Sequence, residues 1–299
     1  MAAQPLIVDL RRDSAADGPG IRTVVFFKGC PLRCSFCHNP EAQDARPEIA
    51  FSRDKCIECA LCQDACPQHV IDLANPARIS RDRCRRCGTC AAACAGGALR
   101  LIGASYEPEE LARLVLRDLP FFRHSGGGVT LSGGEPTMFP DYVEALLRLL
   151  KAEGVHVILE TCGFFDYDVF AQKILPWLDG IFFDLKFADP AEHRKHTGQD
   201  NRMILANLRR LLADGGVEVL PRAPLIPGVT ATPENLRGLA ALLRELGAAR
   251  VELLPYNPLG LDMYAALGKD MPTLPESFPK PEDFDALCRT FRELIETHR

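Results

Sequence analysis

The sequence predicts an α/β fold, a partial barrel in which six strands alternate with helices and form a parallel sheet. From residue 104 onward, short apolar runs rich in β-branched residues alternate with segments whose apolar residues recur at helical spacing. Polar or glycine-rich motifs follow nearly every predicted strand, as in barrels whose sites lie at the carboxyl ends of the strands. Eleven of the 13 cysteines lie between Cys30 and Cys94, which marks a separate segment inside this pattern.

The predicted elements follow one another in a regular order. Residues 21–27 are β-branched and aromatic and predict a strand that ends at a cysteine loop. Five later strands are expected at residues 129–131, 155–160, 180–185, 217–221 and 250–254. Helices are expected at residues 107–119, 142–151, 167–175, 202–212, 233–246 and 281–297. Periodicity alone leaves a flat, doubly wound sheet open as the alternative to a barrel.

Composition and charge exclude several classes of protein. The 299 residues are 47% hydrophobic and 25% charged, close to soluble globular averages, which argues against a disordered chain. The net charge of -5 does not suit a nucleic-acid-coating protein, which needs a concentrated basic surface. No apolar run approaches the length of a membrane span, and the apolar residues 5–8 are too few for a secretory signal. We therefore expect a cytoplasmic protein that binds neither nucleic acid nor membrane.

The first cysteine group is a C-x3-C-x2-C triplet formed by Cys30, Cys34 and Cys37. Three thiolates on one loop can hold three corners of a 4Fe-4S cluster and leave the fourth iron without a protein ligand. An open iron implies chemistry on a bound molecule. The alternative is a closed zinc site with His38 as the fourth ligand, but the adjacent Cys37 and His38 can hardly both turn to one tetrahedral metal.

The second cysteine group consists of two successive quartets, each with the C-x2-C-x2-C-x3-C spacing of bacterial ferredoxins. In that arrangement the fourth cysteine of each quartet ligates the other cluster. One 4Fe-4S cluster is then expected on Cys56, Cys59, Cys62 and Cys94, and the other on Cys84, Cys87, Cys90 and Cys66. We expect a ferredoxin-like insert at residues 49–103, set into a barrel formed by residues 1–48 and 104–299. Two zinc ribbons, the alternative, give no reason for a repeated quartet.

The motifs together resemble a known family. Residues 17–22 (DGPGIR), 29–41 (GCPLRCSFCHNPE) and 132–136 (SGGEP) look like the radical S-adenosylmethionine superfamily. More narrowly, they resemble the subset of glycyl-radical enzyme activating enzymes that carry a double ferredoxin-type insert. Further matches occur in the same order at residues 184–186 (DLK), 196–198 (HTG), 227–228 (PG) and 253–256 (LLPY), so the similarity covers almost the whole chain. The resemblance implies a partial (β/α)6 TIM-like barrel.

The resemblance also implies an oxidoreductase activity. In this family S-adenosylmethionine chelates the open iron through its amino and carboxylate groups, and an electron from the reduced cluster cleaves the sulfonium bond. Methionine and a 5'-deoxyadenosyl radical result, and the radical takes a hydrogen from one glycine of a partner glycyl-radical enzyme. The implied cofactors are three 4Fe-4S clusters and S-adenosylmethionine. The implied partners are that protein substrate and reduced flavodoxin or ferredoxin as the electron donor.

The family's site residues map onto this chain by motif. The resemblance makes Cys30, Cys34 and Cys37 the catalytic cluster ligands and places Phe36 near the adenine. It implies that residues 133–135 (GGE) bind the methionine amino group, and we expect the Glu135 carboxylate to face that cation.

Other matched residues follow the later strands. Lys186 and Arg222 are expected to neutralise the cofactor carboxylate or orient its ribose. We also assign Lys186 to the catalytic residues, and Asp184 to the cofactor-binding residues beside it. Asn257 stands where pyruvate formate-lyase activases carry a histidine, and it can hydrogen-bond without carrying charge. Glu160 and Asp184 could coordinate a monovalent cation; a strand-end acid without a metal role is the open alternative.

Two other functions remain to be distinguished. One is a radical S-adenosylmethionine enzyme acting on a small molecule or a peptide. The other is a non-enzymatic ferredoxin-type electron carrier. A carrier has no need for an open-iron triplet or for a Gly-Gly-Glu motif at a strand end, which favours an enzyme.

Overall fold

A computed structural model describes residues 4–248 and 250–296 of the chain. Its strands are β1 (Leu6–Ser14), β2 (Arg22–Lys28), β3 (Glu48–Phe51), β4 (Leu99–Ile102), β5 (Ala104–Ser105), β6 (Gly128–Gly133), β7 (His156–Thr161), β8 (Gly180–Asp184), β9 (Glu218–Leu225) and β10 (Glu252–Pro255). Its α-helices are α1 (Leu61–Asp64), α2 (Thr89–Ala92), α3 (Pro108–Val115), α4 (Leu119–Ser125), α5 (Pro140–Ala152), α6 (Tyr167–Lys173), α7 (Pro190–Thr197), α8 (Arg202–Asp214), α9 (Pro233–Glu245), α10 (Leu261–Leu267) and α11 (Pro281–Glu296).

The main sheet has eight strands in the order β10-β9-β8-β7-β6-β2-β1-β5. Six of these strands, β2, β6, β7, β8, β9 and β10, pair in parallel in that order. A doubly wound sheet reverses its strand order at a switch point, whereas this order runs without reversal. The α/β, mostly parallel architecture is therefore confirmed, and it is consistent with a partial TIM barrel.

The six parallel strands lie where the sequence predicts them, because strands covered on both faces appear as continuous apolar runs. All seven residues of β2, for example, are buried. The α-helix predicted at residues 107–119 instead ends at Val115, and a separate helix, α4, begins at Leu119. Pro120 lies in the first turn of α4, where its missing N–H costs no hydrogen bond. Thr297, the last residue predicted for the final helix, lies outside the described residues. No helix of the described residues is long and apolar enough to cross a membrane.

The residues between β2 and β5 build a second, smaller structure. β3 and β4 form an antiparallel pair, and Ile49, Phe51, Val70, Ile79 and Leu99 pack into a core that is separate from the main one. The two cysteine quartets fold alike. Glu58 and Ala60 in the first quartet and Arg86 and Gly88 in the second all have positive φ, between 54° and 79°. The sequence repeat is thus also a repeat of backbone conformation.

Buried charges join this smaller structure to the sheet. Lys28 at the end of β2 is fully buried and donates to the Glu48 carboxylate, the first residue of β3, at 2.7 Å. Lys269, just after α10, lies 3.4 Å from the other oxygen of Glu48. Arg81 donates to the carbonyl groups of Ile49 and Ala266, each at 2.7 Å. The smaller structure is therefore attached at both β2 and α10.

We predict that Glu48→Gln destabilises the protein, because it leaves the buried Lys28 ammonium without its counter-charge. Removing one partner of a buried ion pair costs about 3 kcal/mol or more. Glu192→Gln is the matched control, since Glu192 and Lys195 form an exposed ion pair worth less than about 1 kcal/mol. Anaerobic thermal unfolding should show a clear drop in Tm for Glu48→Gln alone. Equal small effects of both substitutions on Tm would show that the Lys28–Glu48 pair stabilises the protein no more than an exposed ion pair does.

Candidate functional site

A cleft of about 390 Å³ opens at the carboxyl ends of the parallel strands. Its walls come from the loop after β2 and from the ends of β6, β7, β8, β9 and β10. Ten of the eleven residues that the sequence assigns to the catalytic and cofactor site line this cleft: Cys30, Cys34, Phe36, Cys37, Gly133, Gly134, Asp184, Lys186, Arg222 and Asn257. The remaining one, Glu135, lies behind the wall.

The loop that carries the cysteine triplet is held by backbone hydrogen bonds on both sides. Gly29 donates to the Ala42 carbonyl at 2.7 Å. On the other side, Arg33 donates to the Thr197 carbonyl at 2.7 Å and Ser35 to the His196 carbonyl at 2.9 Å. The His196-Thr197-Gly198 motif therefore supports the triplet loop from the end of α7 and does not itself line the cleft.

The triplet thiols lie in different electrostatic surroundings. Burial raises the pKa of Cys34 well above its ordinary value and raises that of Cys37 to about 11. A hydrogen bond shared with the Cys162 thiol lowers the pKa of Cys30. Since iron binds thiolates, a bound cationic group is needed to keep Cys34 and Cys37 ionised. The positively charged irons of a cluster would supply that charge.

His38 has a partner other than the triplet. Its Nδ1 atom lies 3.3 Å from the carbonyl oxygen of Asn257. Within the described part of the chain, no three His, Cys, Asp or Glu side chains are grouped so as to hold a single metal ion. The position of His38 thus gives the closed zinc site no support.

The two glycines of the Gly-Gly-Glu motif are required by close packing. Gly133 has φ +103°, and a Cβ atom there would lie 2.4 Å from the Phe27 nitrogen. A Cβ atom on Gly134 would lie 2.0 Å from the Gly29 carbonyl oxygen. Because both contacts are with backbone atoms, neither position accepts a side chain without moving the end of β2. The turn thus brings its own backbone against the start of the triplet loop.

The position of Glu135 differs from the expected one. Its side chain is fully buried, and its carboxylate accepts hydrogen bonds within the protein instead of facing the cleft. Oε1 accepts from the hydroxyls of Thr137 at 2.7 Å and Thr161 at 2.9 Å, and Oε2 accepts from the Cys162 N–H at 2.7 Å. In this structure the carboxylate is thus occupied by internal donors, and its expected contact with a bound ammonium stays a prediction. Sequence spacing places a residue at a strand end but does not say which side of the turn its side chain takes.

Paired charges line the far wall of the cleft. Lys186 donates to Asp184 at 2.9 Å; burial opposes its charge, but Asp184 and the nearby thiols raise the pKa of Lys186. Arg222 lies 3.1 Å from Glu160 and 3.0 Å from Glu252. Burial and the neighbouring Asp184 carboxylate raise the pKa of Glu160. Asp184 Oδ1 is buried and has no hydrogen-bond partner among the described residues, so this wall has one unused anionic oxygen.

Phe36 and Asn257 also have structural contacts. The Phe36 ring meets Phe187 edge-on at 6.1 Å and packs in a small cluster with Ile226 and Tyr256. The Asn257 side chain accepts a hydrogen bond from the Leu259 N–H at 3.0 Å and so caps the short helix that follows. Both residues still line the cleft, where Phe36 offers an apolar aromatic surface.

Cys162 is a site residue that sequence reasoning missed. The sequence pattern predicts an unpaired structural thiol, and the residue is indeed buried. However, it lines the cleft and hydrogen-bonds to Cys30, which raises its own pKa. Its location directly after β7 is the signal that could have identified it, because sites of this architecture lie at the carboxyl ends of strands.

The eight cysteines of the smaller structure surround two small cavities, four cysteines around each. The first is lined by Cys56, Cys59, Cys62 and Cys94. The second is lined by Cys66, Cys84, Cys87 and Cys90. These are the two sets that the crossed ferredoxin spacing predicts. All 13 cysteines of the chain are free thiols.

Comparisons with known proteins add to this geometry. Residues 77–243 match the radical SAM superfamily, and residues 16–74 match a 4Fe-4S single cluster domain. The chain is 41% identical over 271 residues to the isethionate sulfite-lyase activating enzyme of Nitratidesulfovibrio vulgaris, with 88% of each chain covered. It is 37% identical over 291 residues to the trans-4-hydroxy-L-proline dehydratase activating enzyme of Clostridioides difficile, with 96% of each covered. In fold it is similar to a radical SAM methyltransferase from Sphaerobacter thermophilus, with a TM-score of 0.54 at 17% identity over 97% of this chain and 74% of that one.

We predict that Glu135→Gln lowers the stability of the protein even without any bound ligand. The side-chain amide of glutamine has an NH2 group where the carboxylate has its second oxygen, so one donor that now hydrogen-bonds to Glu135 would face another donor. A buried donor without an acceptor costs about 1 to 3 kcal/mol. Glu153→Gln, an exposed position after α5, should change stability by less than about 0.5 kcal/mol. Thermal unfolding in the absence of S-adenosylmethionine tests this. An unchanged Tm combined with weaker binding of S-adenosylmethionine would instead show that the Glu135 carboxylate contacts the cofactor directly.

Proposed function

Because this chain belongs to the radical S-adenosylmethionine superfamily and, within it, to the glycyl-radical enzyme activating enzymes, we propose that it installs a glycyl radical in a partner enzyme. It would do so by reductive cleavage of S-adenosylmethionine and removal of one hydrogen atom from a glycine. The observation that carries the proposal is the single cleft that gathers the cysteine triplet, the Gly-Gly turn and the paired charges at the strand ends.

The triplet loop fits an iron–sulfur cluster. Cys30, Cys34 and Cys37 would hold three irons, and the fourth would face the cleft. When bound, the cluster supplies the electron that cleaves S-adenosylmethionine, and the resulting deoxyadenosyl group accepts the glycine hydrogen. The hydrogen bond from Cys162 and the charge of Lys186 both favour electron density on the triplet sulfurs. The protein thus supplies ligands, orientation and charge.

The remaining wall residues would bind S-adenosylmethionine. Gly133 and Gly134 line the cleft and would offer backbone carbonyl acceptors to the amino group, while Lys186 and Arg222 would offer cationic groups to the carboxylate and the ribose. Phe36 offers its ring to the adenine. The Glu135 role that we propose is to position the Gly-Gly turn, since its carboxylate is already occupied by internal donors.

A monovalent cation near Glu160 and Asp184 is supported by one further observation. Asp184 Oδ1 is buried without a partner among the described residues, and the two carboxylates are close enough for Asp184 to raise the pKa of Glu160. A cation between them would relieve this repulsion and supply the missing partner. Carboxylate oxygens suit hard cations.

We further propose that residues 49–103 form a ferredoxin-like insert with two 4Fe-4S clusters, set into a barrel of residues 1–48 and 104–299. The two cavities lined by four cysteines each support this division, as does the separate core of the insert. The clusters would be ligated in the crossed manner. Reduced flavodoxin or ferredoxin is the electron donor that such clusters suit.

The open sheet supports a protein substrate. β10 and β5 are the two ends of the main sheet and do not pair with each other, so the sheet does not close around the cleft. A glycine on a loop of the partner enzyme could enter through that side, whereas a small molecule needs no such opening. We propose that the protein acts in the cytoplasm, because closely spaced thiols that bind metal clusters are typical of a reducing compartment.

We predict that anaerobically reconstituted protein contains about twelve irons per chain, from three 4Fe-4S clusters. Replacing Cys30, Cys34 and Cys37 together with alanine should lower this to about eight and abolish S-adenosylmethionine cleavage. Cys288→Ala is the matched control, because this half-buried thiol on α11 lines none of the three cavities. Iron and sulfide analysis gives the count. Zinc alone, or about four irons in the unaltered protein, contradicts the assignment.

We predict that the reduced protein forms little 5'-deoxyadenosine from S-adenosylmethionine alone. Adding the partner enzyme, or a peptide that copies its glycine loop, should stimulate cleavage and give a glycine-centred radical in electron paramagnetic resonance. Deuterium on that glycine should appear in the 5'-deoxyadenosine, because hydrogen abstraction is direct. A peptide with alanine at that position is the control. Label transfer from a metabolite, without a radical on any protein, would assign the chain to small-molecule chemistry instead.

A further inference from the structure

Arg78 is a fully buried arginine beside one of the two insert cavities. Its exposed fraction is 1%, and it lines the cavity formed by Cys56, Cys59, Cys62 and Cys94. Its Nη2 atom donates to Cys56 Sγ at 3.7 Å. Its Nε and Nη1 atoms are buried and have no hydrogen-bond partner among the described residues. A cation with two unused donors thus lies against this cavity.

The charge of Arg78 is poorly balanced by the protein. The nearest carboxylate is that of Glu58, at 3.8 Å, and its side chain is 69% exposed and therefore well screened by water. The guanidinium also lies over the Phe51 ring at 5.3 Å, a weaker contact. A buried charge without a close partner is costly, so an anion inside the cavity is expected.

Other arginines of the insert are satisfied differently. The two terminal nitrogens of Arg81 donate to backbone carbonyls, and Arg86 forms an ion pair with Asp44 at 3.1 Å. Neither of them lines the second cavity. Arg85 does line it, but its side chain is exposed, so it does not bring a buried charge there. The asymmetry between the two cavities comes from Arg78.

The internal repeat shows how this asymmetry arises. Arg78 lies six residues before Cys84, and the equivalent position in the first half, six residues before Cys56, is Ala50. Arg78 has φ +61°, and its N–H donates to the Asn75 carbonyl at 2.9 Å. Its carbonyl accepts from the Asp72 N–H at 3.0 Å. The turn therefore fixes Arg78 in a left-handed conformation that a non-glycine residue rarely adopts.

We propose that Arg78 raises the reduction potential of the cluster held by Cys56, Cys59, Cys62 and Cys94 and thereby makes the two insert clusters electrochemically unequal. This inference rests on the proposed two-cluster insert. Reduction adds a negative charge, and a buried guanidinium stabilises that charge more strongly than an exposed one does. Hydrogen bonds to cluster sulfurs and local net charge are the features that set such potentials. The Cys66, Cys84, Cys87 and Cys90 cluster has only the exposed Arg85 beside it, whose charge is screened by water.

The test is a redox titration of the full-length chain followed by electron paramagnetic resonance. The background carries alanine at Cys30, Cys34 and Cys37, so that the two insert clusters alone titrate. Arg78→Met should make reduction of the cluster held by Cys56, Cys59, Cys62 and Cys94 about tenfold less favourable. For a one-electron couple this is a shift of about 59 mV to more negative potential. The potential of the other insert cluster should not change. Arg83→Gln, which removes an exposed charge from the same insert, is the control and should shift neither.

Lysine at position 78 separates charge from packing. Arg78→Lys should keep most of the original potential, whereas Arg78→Gln, which keeps donors without the charge, should lower it. If the Arg78→Met protein does not assemble its cluster, the comparison of Arg78→Lys with Arg78→Gln provides the test instead. An unchanged potential in an assembled neutral variant, or equal shifts of both clusters, overturns the inference. About four irons in the unaltered chain overturns the two-cluster proposal and this inference with it, whereas about twelve irons without a shift overturns this inference alone.

Discussion

The buried carboxylate of Glu135 is the interaction on which the rest of the cleft depends. Its side chain binds the Thr161 hydroxyl and the Cys162 N–H at the end of β7, while its own N–H donates to the Gly29 carbonyl at 2.8 Å at the end of β2. One residue thus ties together three neighbouring strand ends. Because hydrogen bonds to a charged, desolvated acceptor are stronger than neutral ones, this residue can fix the loops that carry the triplet and the Gly-Gly turn.

The positions of the other site residues follow from this attachment. With β2 and β6 held together, the Gly-Gly turn lies against the triplet loop so closely that a Cβ atom on Gly134 has no room. β7, β8 and β9 then bring the Asp184–Lys186 and Arg222–Glu160 pairs to the opposite wall. The charges on that wall are already paired within the protein, so a zwitterionic ligand would bind by exchanging partners with them and would not meet isolated charges. Such pairing limits the cost of burying these groups before a ligand arrives.

The parts of this structure that the sequence predicts are those recorded in local patterns. The six parallel strands are short apolar runs, and the structure has strands at these positions. The cysteine sets are fixed spacings, and the members of each set lie around one cavity. β1 was missed because it lies near the sheet edge and mixes apolar residues with Asp9, Arg11 and Arg12, so it shows little of the expected pattern. The orientation of Glu135 and the cleft position of Cys162 depend on contacts between distant strands. Such contacts leave no periodicity in the sequence.

The insert illustrates the same division between local and long-range information. Its repeated quartets define two equivalent cavities, and its backbone repeats the same left-handed turns around each. A repeat alone would give two equivalent electron sites. Equivalence is broken by one residue outside the quartets. Arg78 lies six residues before the second quartet and brings a buried charge, whereas Ala50, six residues before the first, brings none. An arginine in the sequence is ordinarily assigned to the surface. The burial of Arg78, its two unused donors and the exposure of the Glu58 side chain are the observations from which we infer a counter-charge inside the cavity.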